Sequence, residues 1–90
     1  MKAGRLSSGE VACEGAVKGK KAKLIIIATD ASENTKKNFK NSASFYNIDL
    51  IEYGNKQELG FALGKDQRSI IAILDDGFAS RLKELALLTD

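Results

Sequence analysis

The apolar positions of this chain follow two periods. Leu24-Ile25-Ile26-Ile27-Ala28 is an unbroken apolar run, and Ile70-Ile71-Ala72-Ile73-Leu74, entered through Ser69, is a second. Short β-branched runs with no polar face are characteristic of strands covered on both sides, so the two are predicted to be neighbours in the middle of a sheet. Ile48 to Tyr53 reads as another strand, broken at Gly54. Between these runs the spacing becomes helical. Cys13, Ala16 and Val17 share one face, and Thr35, Phe39, Ala43 and Tyr46 form a second stripe. Lys36, Lys37 and Lys40 lie beside that stripe and are predicted to stay in solvent. Leu59, Ala62 and Leu63 mark a third helix, and Phe78, Leu82, Leu85 and Ala86 a fourth.

Start and stop signals sharpen these elements. Ser7 and Glu10 have capping-box spacing for the first helix, which is predicted to end near Gly19. The second helix is capped by Asp30 with Glu33, or by Ser32 on its own; Asn55 with Glu58 has box spacing for the third, and Gly64 is its left-handed stop. Asp75-Asp76-Gly77 turns into the last helix. Alternation of strands and helices over residues 1–90 predicts an α/β fold, a single-domain three-layer α-β-α sandwich with a small mixed, mostly parallel sheet. In open α/β sheets, sites form at the carboxyl ends of strands, here the loops Ala28–Ser32, Tyr53–Lys56 and Leu74–Gly77.

Composition narrows the chemistry. The absence of histidine excludes imidazole acid–base catalysis, the usual triads and histidine metal sites. A single cysteine supports neither a disulfide framework nor a zinc site, and Cys13, on an apolar helix face, reads as a buried inert thiol. Neither GxGxxG nor GxxxxGK[ST] occurs, so no cofactor and no enzymatic activity are expected. The run from Leu24 to Ala28 is far too short to span a bilayer, and Met1 to Gly9 lacks the apolar stretch of a signal peptide; no membrane partner and a cytoplasmic location are expected.

What remains is charge. The formal net charge of +2 hides an asymmetry: residues 1–40 hold 9 Lys and Arg against 4 Asp and Glu, whereas residues 41–90 hold 5 against 8. Lys18, Lys20, Lys21 and Lys23 precede a buried strand, and Lys36, Lys37 and Lys40 follow it. Lysines in such clusters suit phosphate neutralisation, which gives salt-dependent affinity without sequence information. The loops Ser8–Val11 and Gly54–Lys56 add backbone donors and small polar groups at helix starts.

Three ordered segments carry a family resemblance: Lys2-Ala-Gly-Arg-Leu-Ser-Ser-Gly-Glu10, Lys20-Lys-Ala-Lys-Leu-Ile-Ile-Ile-Ala-Thr-Asp-Ala-Ser32 and Gly54-Asn-Lys-Gln-Glu-Leu-Gly-Phe-Ala-Leu-Gly64. With the ending Ala72-Ile-Leu-Asp-Asp-Gly-Phe-Ala79, the chain resembles the kink-turn-binding ribosomal proteins of the L-seven-Ae and L-thirty-e superfamily, in particular their bacterial YlxQ-type branch. The resemblance implies RNA binding by the tip of the first helix, where the family carries Gly-x-Asn-Glu-x-x-Lys. Gly9 matches the glycine, but Val11, Ala12 and Gly15 stand where asparagine, glutamate and lysine would be. The implied RNA-binding set is Ser8, Gly9 and Glu10 at the tip; Lys18, Lys20 and Lys21 beyond it; Ser32 and Lys36 near an extruded base; Lys56 on a phosphate; and Lys65, Gln67 and Arg68 in a second contact loop.

The resulting expectation is a nonenzymatic ribosomal or translation-associated protein that recognises structured, kink-turn-like RNA with weakened specificity. The alternative is a ribosome- or assembly-associated protein-interaction module that has lost kink-turn readout, with ribosomal proteins or assembly factors as partners.

Overall fold

A computed structural model of the chain describes residues 6–77, 79–81 and 84. Its elements are β1 (Leu6–Ser8), α1 (Glu10–Lys18), β2 (Leu24–Ile27), α2 (Glu33–Tyr46), β3 (Asp49–Glu52), α3 (Lys56–Ala62) and β4 (Ile70–Ile73). Residues 76, 77, 79, 80, 81 and 84 are also helical; Phe78, Leu82, Leu85 and Ala86 of the predicted last helix lie outside the described residues.

The four strands form one sheet in the order β1-β4-β2-β3. The two apolar runs are neighbours as predicted: β2 and β4 pair with Leu24 opposite Ile73 and Ile27 opposite Ile70, and every residue of both is buried. Their pairing is antiparallel, however, as is that of β1 with β4, and only β2 with β3 is parallel. The expectation of a mostly parallel sheet is therefore corrected.

The lengths of the connections explain the difference. The 14 residues of α2 carry the chain back along the sheet, about 21 Å at helical rise, so β3 starts level with β2. By contrast, α3 has only 7 residues, and the following loop returns to it, Arg68 N–H donating to the Lys56 carbonyl at 3.1 Å. The chain thus enters β4 at the end where it left β3 and must run the other way.

The core is the β2–β4 centre with Cys13, Ala16 and Val17 of α1 on it and Phe39 of α2, Leu59 of α3 and Ala79 closing around it. Leu24, Ile25, Ile27, Ile70 and Ile73 are each less than 2% exposed. At roughly 1.5–3 kcal/mol per fully buried aliphatic side chain, this stripe supplies most of the drive to fold. Of the third helical stripe, Leu59 is buried and Leu63 partly so, but Ala62 is exposed and Gly60 is buried in its place.

Three caps match the sequence signals and one does not. Ser32 rather than Asp30 caps α2, its Oγ accepting from Thr35 N–H at 3.2 Å. Asn55 and Glu58 form the complete box on α3. Gly64, at φ 69°, ends that helix, its N–H reaching Phe61 O and the next N–H, of Lys65, reaching Gly60 O. The Ser7–Glu10 box is absent because Ser7 belongs to β1, paired opposite Ala72; the cap of α1 is Gly9, at φ 89°, with no side-chain bond.

α1 ends with Gly19 as its C-cap, where the sequence puts it, and the left-handed residue that follows is Lys20, at φ 59°. A side chain in that region costs about 1–2 kcal/mol. The attraction of a cation to a helix C-terminus returns only about 0.3–1 kcal/mol. Stability alone would place glycine there.

Candidate nucleic-acid interface

Because α1, α2 and α3 each begin where a strand ends at the Ile27–Ile70 side of the sheet, their starts meet at one pole of the molecule. Hydrogen bonds lock the loops there together. Thr29 donates both its N–H (2.8 Å) and its hydroxyl (2.9 Å) to Gly54 O, and Lys36 Nζ donates to Thr29 O at 2.7 Å. Asp30, predicted as a possible cap of α2, instead accepts Lys56 N–H at 2.8 Å and so holds the start of α3. Across the pole, Thr35 Oγ1 accepts from Ser32 Oγ and donates to Glu10 Oε1 at 2.5 Å, tying the first turn of α1 to that of α2.

This pole gathers Ser8, Gly9, Glu10, Ser32, Lys36 and Lys56, and the Lys65–Arg68 loop returns to it. Arg68 clasps that loop: Nη1 donates to Asp66 O and Gln67 O, and Nε to Ser8 Oγ at 3.3 Å. Lys36 departs from expectation. Its side chain is only 17% exposed, with the ammonium on Thr29 O and 3.5 Å from Glu52. Lys40 also meets Glu52, at 2.8 Å; this bond raises the Lys40 pKa and lowers that of Glu52. Among the described residues, Lys56 and Lys65 form no ion pair.

Lys18, Lys20 and Lys21 are elsewhere. The nine residues of α1 separate them from Glu10 by about 14 Å of helix, and they sit where β2 begins and β4 ends. Lys18 is bound to Glu14 at 2.9 Å, a bond that raises its pKa. The predicted loop Leu74–Gly77 lies at this second pole too, because β4 runs antiparallel to β2.

The helix starts differ in what they leave open. At α3, the N–H groups of Asn55, Lys56 and Glu58 are taken by Glu58, Asp30 and Asn55, so Gly54–Lys56 is not the source of free donors that its sequence suggests. At α1 the first helical bond is Cys13 N–H to Gly9 O, and no side chain caps the turn. The N–H groups of Glu10, Val11 and Ala12 therefore face out of the helix end. Val11 beside them is 88% exposed, and nothing lies within 4 Å of where a Gly15 Cβ would be. Cys13, one turn in, is fully buried; burial pushes its pKa up to about 12, so it is a packing residue.

Sequence reading missed the hydroxyl of Thr35 and the carboxylate of Asp30 as organisers of the pole. Both partners are remote in sequence, so no local spacing announces them. Among the described residues no group of three His, Cys, Asp or Glu could hold a metal ion, and no helix is long and apolar enough to cross a membrane.

Comparison with known proteins places this geometry. Over 85 residues the chain is 40% identical to the RNA-binding protein YlxQ of Enterococcus faecium, covering 94% of this chain and 82% of that one. It is 31% identical over 84 residues to the RNA-binding protein YlxQ of Bacillus subtilis (strain 168), covering 93% and 84%. A solved structure of a protein with unknown function from Bacillus halodurans C superposes with a TM-score of 0.87 at 36% identity, covering 90% of this chain and 82% of that one. Residues 1–83 match a non-catalytic family, and this is not an enzyme. The chain belongs to the ribosomal protein L7Ae/L30e/S12e/Gadd45 family.

Proposed function

We propose that this protein binds structured RNA of the kink-turn type, as a ribosomal or translation-associated component, through the pole where its helices start. The observation that carries the reading is the open first turn of α1, where no side chain caps the N–H groups of Glu10, Val11 and Ala12, next in the chain to Ser8, which Arg68 holds. Backbone donors at a helix start, strengthened by the helix dipole, fit phosphate and carbonyl oxygens of a distorted RNA backbone. Glu10, held by Thr35, offers acceptors to base amino groups. Lys56 and Lys65 supply phosphate contacts, and Ser8, Ser32, Gln67 and Arg68 frame the surface. Lys36 holds the Thr29 loop. The names of the two curated relatives support RNA as the partner.

Specificity is the weak part of this site. Val11, Ala12 and Gly15 bring no polar side-chain atoms to base edges, and hydrogen bonds absent from a dry interface cost about 1–3 kcal/mol each. Binding should therefore depend steeply on salt and discriminate modestly between a kink-turn and a plain duplex. The test is titration of kink-turn RNA and duplex at several salt concentrations. Val11→Asn with Ala12→Glu and Gly15→Lys should tighten kink-turn binding and barely change duplex binding. Tight, salt-resistant kink-turn binding by wild type, unimproved in the triple variant, would refute this account of the tip. The exposure of Val11 favours a second reading, a ribosome- or assembly-associated module docking on ribosomal proteins; its outcome in the same titration is no binding of either RNA.

A further inference from the structure

The pole opposite the helix starts has features that the first site does not absorb. Two non-glycine residues, Lys20 and Asn47, have left-handed backbone, each at φ 59°, and both line one groove of about 260 Å³. Asn47 ends α2 by donating its N–H to Ala43 O and Ser44 O, and asparagine is well suited to the left-handed backbone of that position. Lys20 N–H likewise closes α1 on Val17 O at 3.1 Å, but glycine in its place would relieve the backbone, and a cation near a helix end does not offset the strain. Lys21 follows it, exposed, and Lys23 stands on the groove wall.

Charge at this pole is only partly compensated. Lys23 reaches Asp76 at the 4.0 Å limit, with the two side chains 41% and 83% exposed, and Lys18 is held by Glu14. Lys20 and Lys21 form no ion pair among the described residues. Asp49 at the groove and Asp75 in the neighbouring loop are already engaged within the chain. Lys20 thus shares the groove with Asn47, and Lys21 follows it in the chain, on a surface that α1 and the length of the sheet separate from the first site. Ammonium groups are compact, rotatable donors to phosphate.

We propose that Lys20, Lys21 and Lys23 form a second RNA-backbone surface, so that one molecule holds two RNA segments, one at each pole. This rests on the RNA reading of the first site. It divides the basic residues between two separate surfaces and makes the protein a bridge between RNA segments.

The experiment is capture of a second RNA. The protein is saturated with a kink-turn RNA, a fluorescent plain RNA duplex is added, and complexes are separated by sedimentation between about 50 mM and about 200 mM salt. Wild type should form a ternary complex that dissociates as salt rises. Lys20→Gln with Lys21→Gln and Lys23→Gln should weaken duplex capture by about tenfold or more and flatten its salt slope by about 2–3, roughly one for each phosphate that is no longer neutralised. Kink-turn binding should change less than about twofold, since uniform loss is the mark of a shared phosphate surface. Lys21→Glu alone, checked for native circular dichroism, should move in the same direction, and Lys56→Gln with Lys65→Gln should do the reverse. If wild type binds the kink-turn but captures no duplex, the second surface is refuted and the first stands. If the lysine triple variant weakens both RNAs equally, the two poles are one site and the proposal falls. If neither RNA binds, the RNA reading itself fails and this inference with it.

Discussion

Two glycines lie inside helices in opposite surroundings, so one substitution should have opposite signs at the two. At Gly15, in the exposed middle of α1, an added Cβ would meet nothing within 4 Å. Gly15→Ala then changes only helix propensity, a gain of about 0.8–1 kcal/mol. At Gly60, in α3, the same Cβ would fall 2.1 Å from Asp66 O, 2.6 Å from its carbonyl carbon and 3.0 Å from Gln67 Cα. These are backbone atoms of the loop that Arg68 clasps, so no side chain can swing aside, and the loop must move outward by about 1 Å. Overpacking of this kind costs about 1–3 kcal/mol. Set against the same propensity gain, Gly60→Ala should be destabilising by up to about 2 kcal/mol. A shift of about 4–8 °C in Tm per kcal/mol makes both effects easy to see by thermal circular dichroism. Gly15→Ala should melt higher than wild type and Gly60→Ala lower. Equal shifts, or a rise at Gly60, would mean that the α3–loop contact is not as described and that the Lys65–Arg68 loop is not pinned there.

Phe39, 5% exposed between α2 and the sheet, should lose about 3–5 kcal/mol on Phe39→Ala, read from urea midpoints; coincident midpoints would place the wrong face of α2 inward. Thr35→Val removes the hydroxyl that joins Ser32 to Glu10 and should cost about 1.5–3 kcal/mol, whereas Thr35→Ser should largely restore stability; identical unfolding curves for the two variants would contradict that link. Cys13, with its pKa raised from 9.0 to about 12, should resist iodoacetamide at pH 8 until urea unfolds the chain. Because that thiol is neutral in the fold, its contribution to stability is complete below pH 9 and fades as pH rises toward 12, so unfolding midpoints that rise across this window would oppose the assignment.

What could be read from the chain was whatever rests on local periodicity. The β2 and β4 runs, the inward stripes of α1 and α2 and the Asn55–Glu58 box depend on neighbours within a few residues, and each stands where the spacing puts it. Strand direction does not work that way. It follows from α3 being too short to recross the sheet, a comparison of lengths that alternation of strands and helices leaves out. Nor did Leu6–Ser8 announce itself: three residues without apolar alternation become a strand only because β4 offers an open edge, and that displaces the box expected at Ser7. For the site, residue types were legible but their grouping was not. Lys18, Lys20 and Lys21 adjoin the first helix in sequence yet sit at its far end, and the contacts that organise the helix starts, Thr35 to Glu10 and Asp30 to Lys56, span 25 and 26 residues.

The central claim is that RNA is met by the open first turn of α1 and the loops locked around it. The most direct measurement is amide chemical-shift mapping of the isotope-labelled protein during titration with one equivalent of kink-turn RNA. The claim requires the largest changes at Glu10, Val11 and Ala12, with further changes in residues 28–32 and 65–68 and much smaller ones at Phe45 and along β3. An undisturbed α1 start, with changes absent or confined to the Lys20–Lys23 pole, would contradict it.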